Sequence, residues 1–596
     1  MGLRIVIIGG VATGPKAAAR ARRLDKDAQI TIIEQGGFLS YAGRGIPNYN
    51  SGLVSEYTKL ISTSLGVLRD AAFFKAIKNV KVLTGTHADS IDRSAKTVHT
   101  TNLSTCAVEV IPYDKLVIAT GSRPALPPIP GLDLKNVHTL KNIEDAQAVK
   151  AFLESGKTKK LAIIGGGMIG IQLAEAYSTT RRDNIEITIF EVKDNILPGL
   201  LDTDMAFLVE KRLRAGGVNL FLSEKVLRLE GDEGFVKKVV TQNGTFEADL
   251  IVVSAGVRPN VELAEKAGLA LGPNGAILVN DRLQTSDPDI YAGGDCAESI
   301  NIVSAQHVYA PMWSMANRQG RVIGNNVTGR EDRFLGTAAT SILKMFDYTV
   351  ARTGLTEKEA VKLGFEPVSI IVAESDRELY IKQSNYIIIK LLACRRTRKV
   401  LGAQIVGPGD ANKRIDVLAC AITLGATVDQ LASLDLAYAP TFSTAIDPLA
   451  HAANSLRNKM AGLANSISPL EVKEKIDHND DLIFLDVRSP REFQDVGLPY
   501  MIFLDVRSSK EFQDVGLPYM KTFLIPLDQL RERTGELSRE KEIIIFCKNG
   551  LRSYEAQLIL QEHGFQNAKF MEGGLSAWPF ELEHSHQELN GKKHNS

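Results

Sequence analysis

Three clusters of residues in this 596-residue chain have types and spacings suited to chemistry. The first is Gly9-Gly10-Val11-Ala12-Thr13-Gly14, set between the apolar run Ile5–Ile8 and the helical pattern Pro15–Leu24, with Glu34 closing the next apolar run. Bare backbone at Gly9 permits a tight turn. The helix N-terminus then offers N–H groups to a pyrophosphate, and a carboxylate ~20 residues on accepts hydrogen bonds from ribose hydroxyls. Val11 stands where a middle glycine is usual. The second cluster repeats the plan: Gly165, Gly167 and Gly170 complete a GxGxxG between Lys160–Ile164 and Met168–Tyr177, and Glu191 ends the following run. An acid there pairs with a ribose 2′-hydroxyl and repels a 2′-phosphate, so NADH is expected over NADPH, with Lys193 weakening the preference slightly. The third is Cys547-Lys548-Asn549-Gly550-Leu551-Arg552-Ser553, after the apolar strand Ile543–Phe546 and before a helical pattern, Ser553–His563. A cysteine at a strand tip facing a helix N-terminus, with Lys548 and Arg552 adding positive charge, favours thiolate and can hold a persulfide anion. Four residues separate Cys547 from Arg552, one fewer than in loops that wrap a tetrahedral oxyanion, which suits a sulfane sulfur.

The elements that must position these groups alternate strand and helix from the start, which argues for an α/β fold with a duplicated nucleotide-binding unit. Beyond Arg330–Phe334 the pattern changes. Ser341–Val350, Ser369–Val372, Tyr386–Leu392 and Val400–Val406 read as antiparallel strands, with helices near Ala411–Leu424 and Thr444–Lys459. Ala461–Pro469 reads as a small, polar linker, and the tail from His584 as disordered. In the last domain Ile483–Met501 and Ile502–Met520 are nearly identical, differing only at Pro490/Ser509 and Arg491/Lys510. This is a local tandem duplication, of which one copy supplies the domain's strand and turn. The sequence does not say which.

Lys+Arg and Asp+Glu both number 70, so no global charge draws the chain to nucleic acid. The five cysteines show no CxxC pair and no zinc or disulfide spacing, which points to a reducing, cytoplasmic setting. No apolar run is long enough for a membrane span, and the N-terminal run reads as a first strand and not a leader.

Leu116–Ser122, an apolar strand opening into Ala119-Thr120-Gly121, and Ile290–Asp295, an acid at a glycine-relieved strand tip, fall in an order and spacing that resemble the pyridine nucleotide-disulfide oxidoreductase superfamily. The resemblance implies that FAD occupies the first site, with Asp295 on its ribityl chain. For a lone acid at a strand end the plain reading is a helix cap. Ser40-Tyr41-Ala42-Gly43-Arg44-Gly45-Ile46-Pro47 and Ala437-Tyr438-Ala439-Pro440 make the resemblance specific to the coenzyme A-disulfide reductase and NADH-dependent persulfide reductase family, over about Leu3–Ala461. The Cys547 loop and Gly573–Trp578 resemble a rhodanese domain. The implied organisation is a FAD-binding domain (1–148 and 255–329), a NAD-binding domain (149–254), an α+β dimerisation domain (330–460), a linker (461–469), a rhodanese-like domain (470–583) and a tail (584–596).

In that family a cysteine stands at the position of Arg44, where it attacks a disulfide or persulfide sulfur above the flavin. A guanidinium is always cationic and is no nucleophile, so the thiol relay does not carry over. Cys296, beside Asp295, reads as a buried small hydrophobe. By resemblance Tyr438 reaches the partner subunit's flavin site, and Arg20, Arg23 and Ser40 contact coenzyme A. The plain readings are a core tyrosine and the solvated face of the first helix. The expected function is NADH-dependent reduction of a small sulfur substrate (persulfide, polysulfide or coenzyme A disulfide) by a homodimer, with Cys547 carrying sulfane sulfur. Two alternatives are an NADH oxidase producing hydrogen peroxide and a sulfur carrier on a degenerate flavoprotein body.

Overall fold

The computed structural model describes residues 2–156, 158–180, 185–489, 492, 501–503 and 520–581. It divides into two compact units, Met1–Pro198 with Leu213–Ala339, and Gly199–Arg212 with Thr340–Ser596.

The first unit holds two five-stranded parallel sheets. In the first, the strand order is Ile290–Ala292, Lys115–Ile118, Arg4–Ile8, Gln29–Ile33, Lys81–Leu83. Arg4–Ile8 lies at the centre, paired in parallel on both sides. The chain leaves this strand in one direction for Gln29–Ile33 and returns on its other side as Lys115–Ile118. That reversal opens a crevice at the carboxyl ends of the strands. Ile5 and Ile7 are fully buried, covered on one face by helix Thr13–Leu24 and by Ile323 of helix Trp313–Asn326. The second sheet repeats the order with Val218–Phe221, Glu186–Phe190, Lys160–Ile164, Leu250–Val253 and Val137–Thr139. Its edge strand Val137–Thr139 comes from before position 149.

The second unit holds an antiparallel sheet ordered Ser341–Met345, Tyr348–Gly354, Val400–Gly407, Tyr386–Cys394, Pro367–Ser375. The single strand expected over Ser341–Val350 is a tight hairpin. Phe346 turns it with a left-handed φ of +53°, a conformation that an aromatic residue does not advertise in sequence. The expected linker Ala461–Pro469 is not free chain either. Ser466–Ile467 pairs with Ala568–Met571 as an edge of the last sheet, and Ser468 caps helix Pro469–Asp477.

That last sheet is parallel and six-stranded: Ser466–Ile467, Ala568–Met571, Glu542–Phe546, Leu482–Asp486, Met520–Leu524, Met501–Phe503. The first duplicated copy therefore supplies the central strand. The second begins at Ile502 within the edge strand Met501–Phe503, and 504–519 lie outside the described residues. Asp486 and Arg488 of the first copy form a buried, hydrogen-bonded ion pair at 2.7 Å. Removing one member of such a pair costs roughly 3–5 kcal/mol. Asp486→Ala is expected to lower the melting temperature by several degrees, which calorimetry of the variant beside the parent checks.

Candidate active sites

The first glycine turn is set by backbone contact. Gly9 has φ +111°, and a Cβ there would lie 2.1 Å from the Ala119 carbonyl oxygen, while one on Gly14 would lie 1.9 Å from the Gly9 oxygen. Both distances end on backbone, which has no rotamer to yield. Strand tip, facing strand tip and helix start are thus pressed together. Glu34, at the end of the neighbouring strand, accepts hydrogen bonds from the Gly10 N–H at 2.6 Å and the Gly36 N–H at 2.7 Å. Burial pushes its carboxyl above the ordinary value, opposed by those N–H groups.

The second turn has the same geometry. Gly165 has φ +117° with the Ser254 oxygen 2.4 Å from a notional Cβ, and for Gly170 the corresponding distance to the Gly165 oxygen is 2.3 Å. Glu191 accepts from the Gly166 N–H at 2.7 Å and the Lys193 N–H at 2.9 Å. Lys193 therefore contributes its backbone to fixing the acid. Gly167 has no neighbour closer than 4.0 Å to a notional Cβ, which leaves its surface open.

A cavity of 1010 Å³ runs along both turns. Its lining includes Gly9, Val11 and Glu34, then Ala119–Gly121 and Asp295, then Gly167 and Met168. Small-molecule sites span ~300–1,000 Å³, so this one has room for extended dinucleotides. Its walls supply bare backbone where a pyrophosphate must approach closely and an acid where a ribose must be held. Those donor sets fit FAD and a nicotinamide dinucleotide. Asp295 is no helix cap. It accepts from the Ser122 hydroxyl at 2.8 Å and from the Lys141 ammonium at 3.1 Å, and Lys141 also donates to Ser122 at 2.7 Å. Lys141 was not foreseen from sequence, since nothing in its spacing sets it apart.

Arg44 lies on the short turn Gly43–Gly45 and lines the same cavity, with Nη1 3.7 Å from the sulfur of Met168, which starts the helix Met168–Thr180. No cysteine is among the described residues lining this cavity. Cys296 is fully buried, its thiol donating to the Ile118 and Gly293 carbonyls and pushed up by burial. It is the small hydrophobe expected.

A second cavity of 310 Å³ shares Val11, Ala12, Tyr41 and Trp313 with the first. Arg23 and Ser40 line it, as do Lys16, Arg69 and Lys78, and no carboxylate does among the described residues. Arg20 is not there. Its Nε donates to Asn325 at 2.6 Å, and Gly324 admits it closely, so it ties the first helix to Trp313–Asn326.

In the second unit Cys547 is fully buried at the tip of Glu542–Phe546, with the Gly550 N–H 3.1 Å from its sulfur and the Ser553 hydroxyl at 3.6 Å. Helix Leu551–Glu562 starts behind it. Gly550 turns the loop with φ +101°. Arg552 makes two bonds to Glu492, at 2.7 and 2.8 Å, and this pairing pulls the Glu492 carboxyl down to about 2. The Lys548 ammonium sits 5.4 Å from the centroid of the Tyr386 ring. Tyr438 is 51% exposed, in company with exposed Leu434 and Phe442, so it is not a core tyrosine.

Comparison with known proteins gives three matches along the chain. Residues 3–320 match the family Pyridine nucleotide-disulphide oxidoreductase, 340–450 its dimerisation domain, and 468–580 the Rhodanese-like domain. An NAD(P)H coenzyme A polysulfide/persulfide reductase of Pyrococcus horikoshii is 34% identical, over 75% of this chain and 96% of the relative. An NADH oxidase of Methanocaldococcus jannaschii is 32% identical over 77% of this chain and all of its own. The solved NAD-dependent persulfide reductase of A. fulgidus superposes with a TM-score of 0.88 at 42% identity, covering 97% of this chain and 100% of that one.

Two outcomes follow from this geometry. Glu191→Ala removes the acid that would hold a 2′-hydroxyl, and the ratio of NADH to NADPH kcat/KM is expected to fall about tenfold, a loss of ~1.4 kcal/mol in discrimination, in steady-state kinetics. The folded-state value of Glu492 lies below its unfolded one, so the stability from its pair with Arg552 is fully present above the ordinary carboxylate value. That stability is lost as pH falls toward about 2. Acid titration of Glu492→Gln beside the parent should show the two curves converging only at the acid end.

Proposed function

Because the chain belongs to the pyridine nucleotide-disulphide oxidoreductase family, we propose that it uses NADH to reduce persulfide or polysulfide sulfur, with Cys547 as the thiol that carries sulfane sulfur. It is an NAD(P)H-dependent flavoprotein reductase with a C-terminal rhodanese domain. The observation that carries the reading is one continuous cavity lined by Gly9, Val11 and Glu34 of the first turn and by Gly167 and Met168 of the second. Such a cavity can bring two dinucleotides together in a chain that also holds a sulfur-type cysteine loop. The relatives named as sulfur reductases support the choice of substrate.

FAD, when bound, supplies the two-electron exchange between nicotinamide and acceptor. Gly9, Val11, Gly14 and Glu34 would hold its pyrophosphate and ribose, Ala119, Thr120 and Gly121 would line its path, and Asp295 would take the ribityl chain. Lys141 would place a positive charge beside that carboxylate. Gly165, Gly167, Gly170 and Glu191 would hold NADH. The small basic cavity, with Lys16, Arg23, Arg69, Lys78 and Ser40, suits the phosphates of coenzyme A, and Tyr41 and Trp313 line both it and the cavity that holds Arg44. Arg20 acts there only by anchoring the helix. At Cys547, the Gly550 N–H faces the sulfur that would carry sulfane sulfur, and Arg552 is held beside the loop by Glu492. Lys548, over Tyr386, stands at the side of that loop. We place the protein as a homodimer in a reducing, cytoplasmic setting. The dimerisation-domain match and the exposed Leu434, Tyr438 and Phe442 support the dimer, through which Tyr438 would reach the partner. No helix among the described residues is long and apolar enough to cross a membrane.

A second reading, NADH oxidation by oxygen, is favoured by Arg44 and by the lack of a cysteine along the described cavity wall. A cation beside the acceptor attracts anionic polysulfide or steadies developing negative charge equally well. Anaerobic NADH titration decides between them. The parent should bleach its flavin and release sulfide from polysulfide. Arg44→Cys should gain a long-wavelength thiolate-to-flavin band and lose oxygen consumption about tenfold or more. A colourless protein that added FAD cannot restore would leave only the sulfur-carrier reading.

A further inference from the structure

Glu572 directly precedes the turn that packs on the Cys547 loop, yet its carboxylate is engaged elsewhere. The residue is 1% exposed. One oxygen accepts from the Lys459 ammonium at 2.6 Å and the Ser466 hydroxyl at 2.6 Å, and the other accepts the backbone N–H of Ile371 at 2.9 Å. Three elements converge on this group: the end of helix Pro448–Met460, the short strand Ser466–Ile467, and Pro367–Ser375, the edge of the antiparallel sheet. An edge strand leaves alternate N–H groups without a strand partner, and a buried one must find an acceptor. Glu572 is that acceptor. A carboxylate taken out of water needs its oxygens met by donors, and each donor here comes from outside Ala568–Met571, the strand that Glu572 follows.

The residues that follow transmit this anchorage to the cysteine. Gly573 and Gly574 are both left-handed, with φ +65° and +55°. A Cβ on Gly574 would lie 2.5 Å from the Cys547 oxygen and 2.9 Å from the amides of Asn549 and Gly550. The N–H groups of Leu575 and Ser576 donate to the carbonyls of Cys547 at 2.9 Å and Lys548 at 2.8 Å. On the sheet side, a Cβ on Gly573 would meet Ile371 at 3.4 Å and Ala373 at 3.7 Å. The next strand supplies Tyr386 beneath Lys548.

We infer that Glu572 is a positioning residue that fixes the Cys547 loop against the edge of the antiparallel sheet, so that sulfur is presented from a stationary domain to an acceptor that must come to it. The inference rests on Cys547 being the sulfur-carrying thiol. Loading with thiosulfate forms the Cys547 S–S bond and releases sulfite. A thiol or cyanide acceptor then takes the outer sulfur, as a persulfide or thiocyanate, and restores the Cys547 thiolate. A small acceptor reaches the sulfur however the domain faces. A large one depends on how the loop is held against the sheet edge.

The test uses the full-length holoenzyme as Glu572→Ala, Glu572→Gln and Lys459→Met. The last leaves the rhodanese domain's own residues intact. Transfer from thiosulfate to cyanide should stay within about twofold of the parent, while transfer to coenzyme A, followed by mass detection of its persulfide, should fall about tenfold or more. Hydrogen exchange at the Ile371 amide and through 547–553 should accelerate, with Glu572→Gln between parent and Ala. Unchanged exchange at both places, equal loss with both acceptors, or no loss with either overturns the positioning role. Sulfur transfer that survives in Cys547→Ser overturns the reading of Cys547 instead, while amide exchange still decides the role of Glu572.

Discussion

The first unit depends on a contact that no side chain could share. At Gly9 and again at Gly165 the tip of a central strand meets the carbonyl of the facing strand at a separation that excludes a Cβ. Positive φ at both positions adds a second demand, costing an L residue roughly 1–2 kcal/mol before any clash. The crevice at the strand ends exists because these two tips come together, and the helices that start beyond them aim their N–H groups into it. Glu34 and Glu191 are then fixed by the turns themselves, through the N–H groups of Gly10 and Gly166. Each acid is oriented before any ligand arrives, which lowers the cost of ordering on binding.

This local logic is why so much of the site was legible. Gly9, Gly14, Glu34, Gly165, Gly170 and Glu191 do their work within a span of about one strand–helix–strand unit, and short-range spacing encodes it. The Cys547 loop is legible for the same reason. What escaped reading is assembled from distant segments. Lys141 reaches Asp295 across 154 positions of sequence. The basic cavity draws Lys16, Arg69 and Lys78 from separate elements, and Arg20, a neighbour of Arg23 on the same helix, points instead to Asn325. The hairpin at Phe346 and the strand at Ser466–Ile467 went unforeseen because tertiary pairing, not propensity, fixes them. Between two nearly identical copies only three-dimensional pairing can choose.

The second unit solves its packing with buried charge in place of bare backbone. Lys390, 4% exposed at its side chain, is held by Asp204 at 2.6 Å and Glu357 at 2.9 Å, with Asp202 at 3.3 Å. Burial opposes its charge, yet the three acids together keep its ammonium above the ordinary value. Arg414 is buried on Asp447 at 2.9 Å, and Asp486 on Arg488 at 2.7 Å. Such pairs contribute little net stability against apolar replacements of similar volume. Their effect is directional, because a charge out of water tolerates only the arrangement that satisfies it.

The two devices suit two kinds of work. A dinucleotide site must let backbone approach a pyrophosphate closely, and there a missing side chain is the functional feature. A loop that is to present one sulfur atom takes its rigidity from the groups behind it. With Arg44 and no cysteine among the described residues lining the dinucleotide cavity, the nucleophilic sulfur chemistry we propose falls to Cys547. The orientation of that loop then matters more than in a protein with a thiol at each end. A fully buried Glu572 that ties the loop's supporting turn to a sheet edge supplies such orientation without touching the reacting atoms.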